Sequence, residues 1–346
     1  MSIKDRTSPI GPKTIGFLLV ENFSLLSFAV AVEPLRAANV LSGRNLYAWR
    51  FIAPNEIAAT ASIGVKLHLD GDLASDERLD MLFVCAGGNP ALHRDPATFR
   101  WLRRLARRGT PLGGISGGSY ALARAGLLDK RRCTIHWEHM AAFREEFPHI
   151  DLRATLFEID RDRYSCAGGI ASLDMMHAII EADHGAALAN AVTEWFIQTS
   201  VRPGSGAQRM EPRERLRILN ESLIKAIKFM ERRFDEPIGV ETLAGEAGVS
   251  ARHLQRLFAQ HLGMTVEKYL FSLRLNRGRE LLRQSDLPVL DVALAAGFST
   301  AGHFSRSYKA KFGLTPRDER RSARAVALRP KFPSTGQGRD ERDRHA

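Results

Sequence analysis

Residues 240–257 read VETLAGEAGVSARHLQRL and residues 289–308 read VLDVALAAGFSTAGHFSRSY. In each stretch an Ala that suits a tight helix contact stands four residues before a Gly where the chain has to turn, Ala244 before Gly248 and Ala293 before Gly297. A large apolar residue then anchors the next helix, at Leu254 six residues after the first Gly and at Phe304 seven after the second. This spacing predicts a helix-turn-helix, whose second helix is delivered to the DNA major groove. One match in a helical sequence says little. Two, with turn glycines 49 residues apart, define a repeated unit.

Ser250 is placed to cap the first recognition helix, and Leu254, Leu257 and Phe258 form its apolar stripe. The opposite face carries Arg252, Gln255 and Arg256. Arg pairs bidentately with guanine O6 and N7, and Gln with adenine N6 and N7, so these are residue types that read base edges. In the second copy Phe304 and Tyr308 face inward and leave His303, Ser305 and Arg306 outside. Ala301 and Gly302 open that helix without side-chain donors, so phosphate and shape contacts are expected to outweigh base readout there. Charge follows the same division. The 346 residues carry a net charge of +11, of which +2 lies up to Met210 and +9 from Glu211 onward. A basic segment suits a phosphate-rich partner, because Lys and Arg displace condensed counterions from nucleic acid.

From about Ser222 to Arg321, with SARHLQRLF, LRLNRGRELL, VALAAGFSTAGHFSRSYKAKFG and LTP, the chain resembles the AraC/XylS family of bacterial transcription regulators. Gly278 departs from the family pattern, which usually has Ala there. The resemblance implies two helix-turn-helix units hung on one long helix, about Val266 to Gln284, entering successive major-groove segments roughly 34 Å apart. It also implies base-facing roles for Arg252, Gln255, Arg256, His303, Ser305 and Arg306.

Upstream the pattern changes. Apolar runs at Thr14 to Val20, Ala48 to Ala53, Met81 to Cys85, Pro111 to Ile115 and Tyr164 to Ala167 read as buried strands. Helical stretches alternate with them at Leu25 to Leu41, Pro96 to Arg108, Ser119 to Ala125, Glu138 to Phe147 and Ser172 to Asp183. Such alternation predicts an α/β doubly wound parallel sheet, followed by an all-α domain with two helix-turn-helix units. Between them VRPGSGAQRMEPR, with two Pro, two Gly and no apolar period, reads as a linker. The expected division is a flexible 1–12, a sensing domain over 13–200, a linker over 201–213, a DNA-binding domain over 214–322 and a disordered basic tail over 323–346.

Gly114-Ile115-Ser116-Gly117-Gly118 follows a strand, precedes a helix and matches the G-x-S-x-G nucleophile elbow. A serine hydrolase using Ser116 is the enzymatic alternative. Against it, only about 85 residues separate Ser116 from the linker, and the nearest His is His136. GGISGGSYALARAGLLDKRRCTIHW and SCAGGIASLDMM resemble the PfpI-type, class I glutamine-amidotransferase-like domain, whose catalytic members carry Cys at the elbow. Ser in that position lacks a thiolate, and an unassisted hydroxyl is a poor nucleophile at neutral pH. No catalytic residue is expected. The elbow still shapes a concave site at the carboxyl ends of parallel strands, where open α/β sheets bind ligands. Ser116, Gly117, His136, Trp137 and Glu138 are candidate effector contacts, with Gly88 and Gly169, from the Gly87-Gly88 and Gly168-Gly169 pairs, allowing close backbone approach.

The fusion of the two domains resembles the GlxA-like subgroup of AraC regulators, and EPLRAANVLSGRNLYAW is similar to regulators of glycine betaine, carnitine and arginine catabolism. That resemblance implies an amino-acid-like or quaternary-amine effector, for which an aromatic such as Trp137 offers cation–π attraction. Three widely spaced cysteines, Cys85, Cys133 and Cys166, with no CxxC pair, argue against a disulfide framework or zinc site and for a reducing cytoplasm. No cofactor or metal is expected. Neither a signal peptide nor a membrane span is apparent, since the apolar run from Leu25 stops at Glu33 and Pro34. The expected protein is a homodimeric, effector-controlled transcription activator that engages promoter DNA and RNA polymerase. A nucleoid-type nonspecific DNA binder is disfavoured by the paired base-reading faces.

Overall fold

The computed structural model describes residues 11–54, 58–74 and 78–328. The expectations for 1–10 and 329–346 lie outside them. In chain order the first part holds β1 (Lys13–Leu19), α1 (Leu25–Ser42), β2 (Tyr47–Ile52), β3 (Ala58–Thr60), β4 (Lys66–His68), β5 (Met81–Ala86), α2 (Pro96–Arg107) and β6 (Leu112–Ser116). It continues through α3 (Ser119–Arg124), β7 (Arg132–Cys133), α4 (Met140–Glu146), β8 (Asp151–Leu152), β9 (Phe157–Asp160), β10 (Arg163–Cys166), α5 (Ala171–His184) and α6 (Ala186–Trp195).

The main sheet has the order β2-β1-β5-β6-β10-β9. All its pairings are parallel except β10 with β9. Every residue of β5 and β6 is buried, as expected of central parallel strands covered on both faces. Chain order reverses between β1 and β5, so the carboxyl ends of β1, β5 and β6 form the crevice of a doubly wound sheet. On one face α1, α5 and α6 close over Phe17, Leu19 and Phe83. On the other α2, α3 and α4 close over Leu18, Leu82 and Val84. By length and composition α1 is the one described helix apolar enough to cross a membrane. Here its Ala31, Leu35, Ala37 and Ala38 are fully buried within the domain.

The sequence reading did not anticipate the edge strand β9 or the short strands β3, β4, β7 and β8. β9 is an antiparallel edge strand joined to β10 by a tight turn at Arg161, which sits at φ 61°. Its half-buried FEID lacks the apolar run that marks the inner strands. Helix α6 was also not anticipated. It follows α5 across Gly185 at φ 89°, a backbone conformation that Gly adopts without steric cost.

The second part is α7 (Pro212–Leu216), α8 (Glu221–Arg233), α9 (Val240–Ala247), α10 (Ala251–Leu262), α11 (Val266–Gln284), α12 (Val289–Ala295), α13 (Ala301–Phe312) and α14 (Pro316–Leu328). Helix α11, 19 residues and thus about 28 Å long, joins two cores. Its Val266 and Leu270 pack with α8, α9 and α10, while Leu275, Leu281 and Leu282 pack with α12 and α13. Residues 323–328, expected in a disordered tail, continue α14 instead, in keeping with the strong helix propensity of Ala, Arg and Leu.

The segment expected as a linker is docked on the α/β domain. Arg202 donates from its backbone and guanidinium to Asp174, which is fully buried, and Gln198 adds a further donor. The Gly204 carbonyl accepts from Leu156 and Phe157, and the Gln208 amide donates to Thr134 Oγ1, Ile135 O and Thr155 O at 2.8–3.0 Å. Its polar groups therefore have fixed partners on the α/β domain, and Pro212 starts α7 directly afterwards.

Candidate functional site

Both helix-turn-helix units turn by the same device. Gly248 sits at φ 69° and Gly297 at φ 78°. After the first, Val249 N–H reaches back to Ala244 O at 3.0 Å while Gly248 N–H reaches Gly245 O. After the second, Phe298 N–H reaches Ala293 O at 2.9 Å and Gly297 N–H reaches Leu294 O. These paired back-bonds satisfy the last carbonyls of α9 and α12, and only an αL residue closes them cheaply. The buried Ala244 and Ala293 are thus both close-contact positions and acceptors of the turn. The recognition helices then start at side-chain caps, Ser250 Oγ accepting from His253 N–H and Thr300 Oγ1 from His303 N–H. Thr300 was missed in the sequence, although a Thr immediately before the helix start is the same cap signal as Ser250.

On α10, Leu254, Leu257 and Phe258 are buried, and Arg252 and Arg256 stand exposed one turn apart. Arg256 lies 3.4 Å from His253 Nδ1. Gln255 is half-buried and donates to Glu267 Oε1 at 2.9 Å, so it is tied to the start of α11. On α13, Phe304 and Tyr308 are buried while His303 and Arg306 are exposed and Ser305 is half-buried. His303 meets Phe298 edge-on and Phe271 at a tilt, with ring centroids at 5.4 and 6.0 Å. A Cβ on Gly302 would sit 3.6 Å from Arg306 Nη1, so the Arg306 side chain runs back along the helix start. Lys311, donating to Ser272 and Asn276, fastens α13 to α11.

In the α/β domain Ser116 ends β6 at φ 58° and is 7% exposed. This is the strained geometry of a nucleophile elbow, in a non-Gly residue. The surrounding glycines are explained by the elbow itself. A Cβ on Gly168 would lie 2.7 Å from Ser116 Cβ, and one on Gly118 would lie 1.9 Å from Val84 O. One on Gly87 would meet Asn22 O at 2.6 Å, while Gly88 and Gly169 take φ of 60° and 56°. Gly169 N–H also donates to Ser27 Oγ at 2.7 Å. The machinery of hydrolysis is not assembled. Gly117 N–H, which an oxyanion hole would use, donates to Ala86 O, and His136 Nδ1 accepts from Glu138 N–H in its own turn. His136 meets the elbow through its backbone, donating to Ser116 O at 3.3 Å. Burial holds its imidazole below the usual range, against the opposing pull of Glu138. The three cysteines are free and buried. Burial raises the thiols of Cys133 to about 12 and Cys166 to about 11, which leaves no reactive thiolate near the elbow.

Ser116, Gly117, Gly88, Gly169 and the His136 backbone gather at the strand ends, whereas the Trp137 ring lies against the Arg209 guanidinium and Glu138 meets the end of α11. Gln284, the last residue of α11 and 7% exposed, lies 3.1 Å from His139 Nδ1 through Oε1 and donates to Glu138 Oε1 at 3.3 Å. Asn89, just past the Gly87-Gly88 turn, donates to Arg283 O at 2.8 Å, and Arg94 pairs with Asp286. The loops that rim the elbow therefore also grip the end of α11. Sequence reading missed Asn89 and Gln284, because a contact between domains leaves no periodicity in either. A cavity of about 220 Å³ opens beside this rim at the carboxyl ends of β1 and β2, lined by Glu21, Ala53, Ala59, His93 and Asp95. None of the anticipated effector residues lines it. Among the described residues no group of three or more His, Cys, Asp and Glu side chains forms a candidate metal site.

Comparison with known proteins matches both halves. A helix-turn-helix domain family covers residues 243–322 and the DJ-1/PfpI family covers residues 13–182. The chain is 43% identical over 304 residues to the HTH-type transcriptional regulator CdhR of Pseudomonas aeruginosa, spanning 88% of this chain and 90% of that protein. It is also 43% identical over 309 residues to the HTH-type transcriptional regulator GlxA of Rhizobium meliloti, spanning 89% and 95%. A crystal structure of an AraC family transcriptional regulator from Pseudomonas putida is 31% identical and covers 54% of this chain and 100% of its own, with a TM-score of 0.49. The chain belongs to the AraC-type helix-turn-helix transcriptional regulators that carry an N-terminal DJ-1/PfpI domain.

Proposed function

We propose that the protein is a sequence-specific transcription activator of the cytoplasm, controlled by a small nitrogenous metabolite held at the carboxyl edge of the α/β sheet. Arg252 and Arg256 read base edges from α10, with Gln255 released from Glu267 on docking. His303, Ser305 and Arg306 supply the contacts of α13, weighted toward phosphate. The observation that carries this reading is the pair of side-chain-capped recognition helices, each presenting exposed basic residues, on one continuous α11. The effector site is assigned to Ser116, Gly117, His136, Trp137, Glu138, Gly88 and Gly169, and the ligand to the amino acids or quaternary amines. Two copies of the chain act together on promoter DNA and present it to RNA polymerase.

Selection of bound fragments from genomic DNA, followed by competition against random DNA at fixed salt, tests the reading. Expected are a preference of at least about 10³-fold for the selected site and a loss of roughly 1–3 kcal/mol of discrimination on Arg256→Ala. Ser116→Ala is expected to leave DNA binding unchanged. Equal affinity for selected and random DNA refutes sequence-specific regulation.

A further inference from the structure

The near-neutral charge of the α/β half conceals a basic ridge. Arg100, Arg103, Arg104, Arg107 and Arg108 fall within nine residues, and no Asp or Glu stands between Pro96 and Thr110. These five supply +5, so the rest of the chain up to Met210, whose net charge is +2, carries −3. Helix α2 sorts them by its period. Thr98, Trp101, Leu102 and Leu105 are buried, which leaves Arg100, Arg104 and Arg107 exposed in one stripe with Arg103 half-buried beside it. Among the described residues no carboxylate pairs with these four, whereas Arg124, Arg131 and Arg163 of the same domain each have one. Arg103 donates to Ala125 O at 3.5 Å and Arg104 to Leu73 O at 3.0 Å, which leaves most of the five N–H groups of each guanidinium unused. A groove of about 520 Å³ opens beside the stripe, lined by the four arginines, with Asp72 as its only carboxylate among the described residues.

The ridge is joined to the DNA-binding half. Arg94, one residue before the α2 cap, pairs with Asp286 in the connection from α11 to α12, and Asp286 pairs in turn with Arg324 of α14. Helix α2 is thereby fixed beside the second helix-turn-helix. From Arg100 to Arg107 it rises about 10 Å, the axial length of about three phosphates on one DNA strand. DNA fits this face better than an acidic polypeptide does. Protein interfaces are centred on aromatic or aliphatic anchors, and the exposed side chains between residues 100 and 108 are arginines only. Guanidinium forks match phosphate oxygens bidentately. We propose that Arg100, Arg104 and Arg107, with Arg103, form a third phosphate-binding surface, by which the α/β domain grips the duplex flanking the operator beside α13. The proposal rests on the DNA binding of the two helix-turn-helix units and not on the effector assignment.

The test titrates the full chain against a selected operator across salt concentrations by fluorescence anisotropy. One duplex carries about one helical turn of extra DNA beside the α13 half-site, and the other is trimmed there. On the flanked duplex the triple variant Arg100→Gln, Arg104→Gln, Arg107→Gln is expected to lower the slope of log K against log salt by about 2–3 and to weaken binding roughly tenfold or more. On the trimmed duplex it should match the parent chain. Lys at the same three positions should restore the slope, because the charge sets counterion release. Arg44→Gln, Arg132→Gln, Arg161→Gln removes as much charge from exposed arginines elsewhere on the domain and should leave slope and affinity unchanged. Far-ultraviolet circular dichroism equal to that of the parent shows that each fold is intact. Equal slopes for the ridge variant and the parent on the flanked duplex, or equal losses in the two Gln variants, overturn the proposal. A ridge variant that binds DNA as the parent does but loses affinity for polyglutamate also overturns it, and assigns the face to an acidic polypeptide. A flank-dependent loss in a chain that does not prefer the selected site over random DNA keeps the ridge and overturns sequence-specific regulation instead.

Discussion

Gly278→Ala puts the packing of the second helix-turn-helix under a test of sign. Gly in the interior of a helix costs about 1 kcal/mol relative to Ala, so in an open α11 this substitution would stabilise. Gly278 is not in the open. A Cβ there would lie 2.5 Å from Phe304 Cε2 and 2.7 Å from Cζ. Phe304 is fully buried between Phe298 and Tyr308, with ring centroids at 5.2 and 5.4 Å, so the ring cannot swing aside without moving its neighbours. Overpacking of this kind costs about 1–3 kcal/mol, which leaves a net loss of about 1 kcal/mol after the helix gain. Because the chain has several cores, a single melting temperature is a poor readout, and amide exchange of α12 and α13 is the appropriate one. Exchange there is expected to speed roughly fivefold, while α9 and α10 stay unchanged. Phe304→Leu in the same chain removes the ring edge, so the double variant should lose less than the sum of the single losses. Slower exchange in Gly278→Ala alone would show that the ring does not fill the space, and the account of Gly278 would fail.

Three further outcomes follow from single contacts. Gly118→Ala drives a Cβ to 1.9 Å from the Val84 carbonyl, so the elbow backbone has to move, and a loss of about 3 kcal/mol or more should appear in thermal unfolding of the α/β domain; wild-type unfolding would contradict the geometry. Among the described residues Arg202→Met leaves the fully buried Asp174 with the residue-202 N–H and Gln198 as donors, and because Arg202 is itself 44% exposed the expected cost is about 2 kcal/mol, read as faster exchange of α5 and the segment after Gln198. Burial, helped by the neighbouring His136, lowers the His139 imidazole to about 3 although Gln284 pulls the other way. It therefore stays neutral when folded and takes up a proton on unfolding below about 6.5, so stability present above that pH falls as the pH drops toward 3, by about 1 kcal/mol at pH 5.5. His139→Asn should flatten this part of the pH profile of unfolding, and an unchanged profile would show that His139 is not the group responsible.

How much of this was legible in the sequence follows from the range of each interaction. The turn glycines, Ser250 and the Leu254, Leu257 and Phe258 stripe act within a dozen residues, so their spacing shows in the letters. The buried strands are legible for the same reason, since MLFVCA has no polar residue to place. β9 escaped because an edge strand needs only half its residues buried. The docking of segment 201–213 was not legible because its partners Asp174, Thr134 and Leu156 are distant in sequence. The candidate effector residues divided along the same line. Ser116 and its glycines are fixed by local backbone geometry, whereas Trp137 and Glu138 are engaged by Arg209 and Gln284, which only the fold brings near.

The central claim is that two recognition helices on one α11 read DNA together. A hydroxyl-radical footprint of the full chain on a selected operator tests it most directly. Expected are protected patches on one face of the duplex with centres about one turn, roughly 34 Å, apart. Arg252→Ala with Arg256→Ala should erase one patch and weaken the whole. Arg306→Ala should weaken the other and make the salt dependence shallower, by about one unit of slope for each phosphate that is no longer neutralised. A single patch, or protection indifferent to these arginines, would contradict the account.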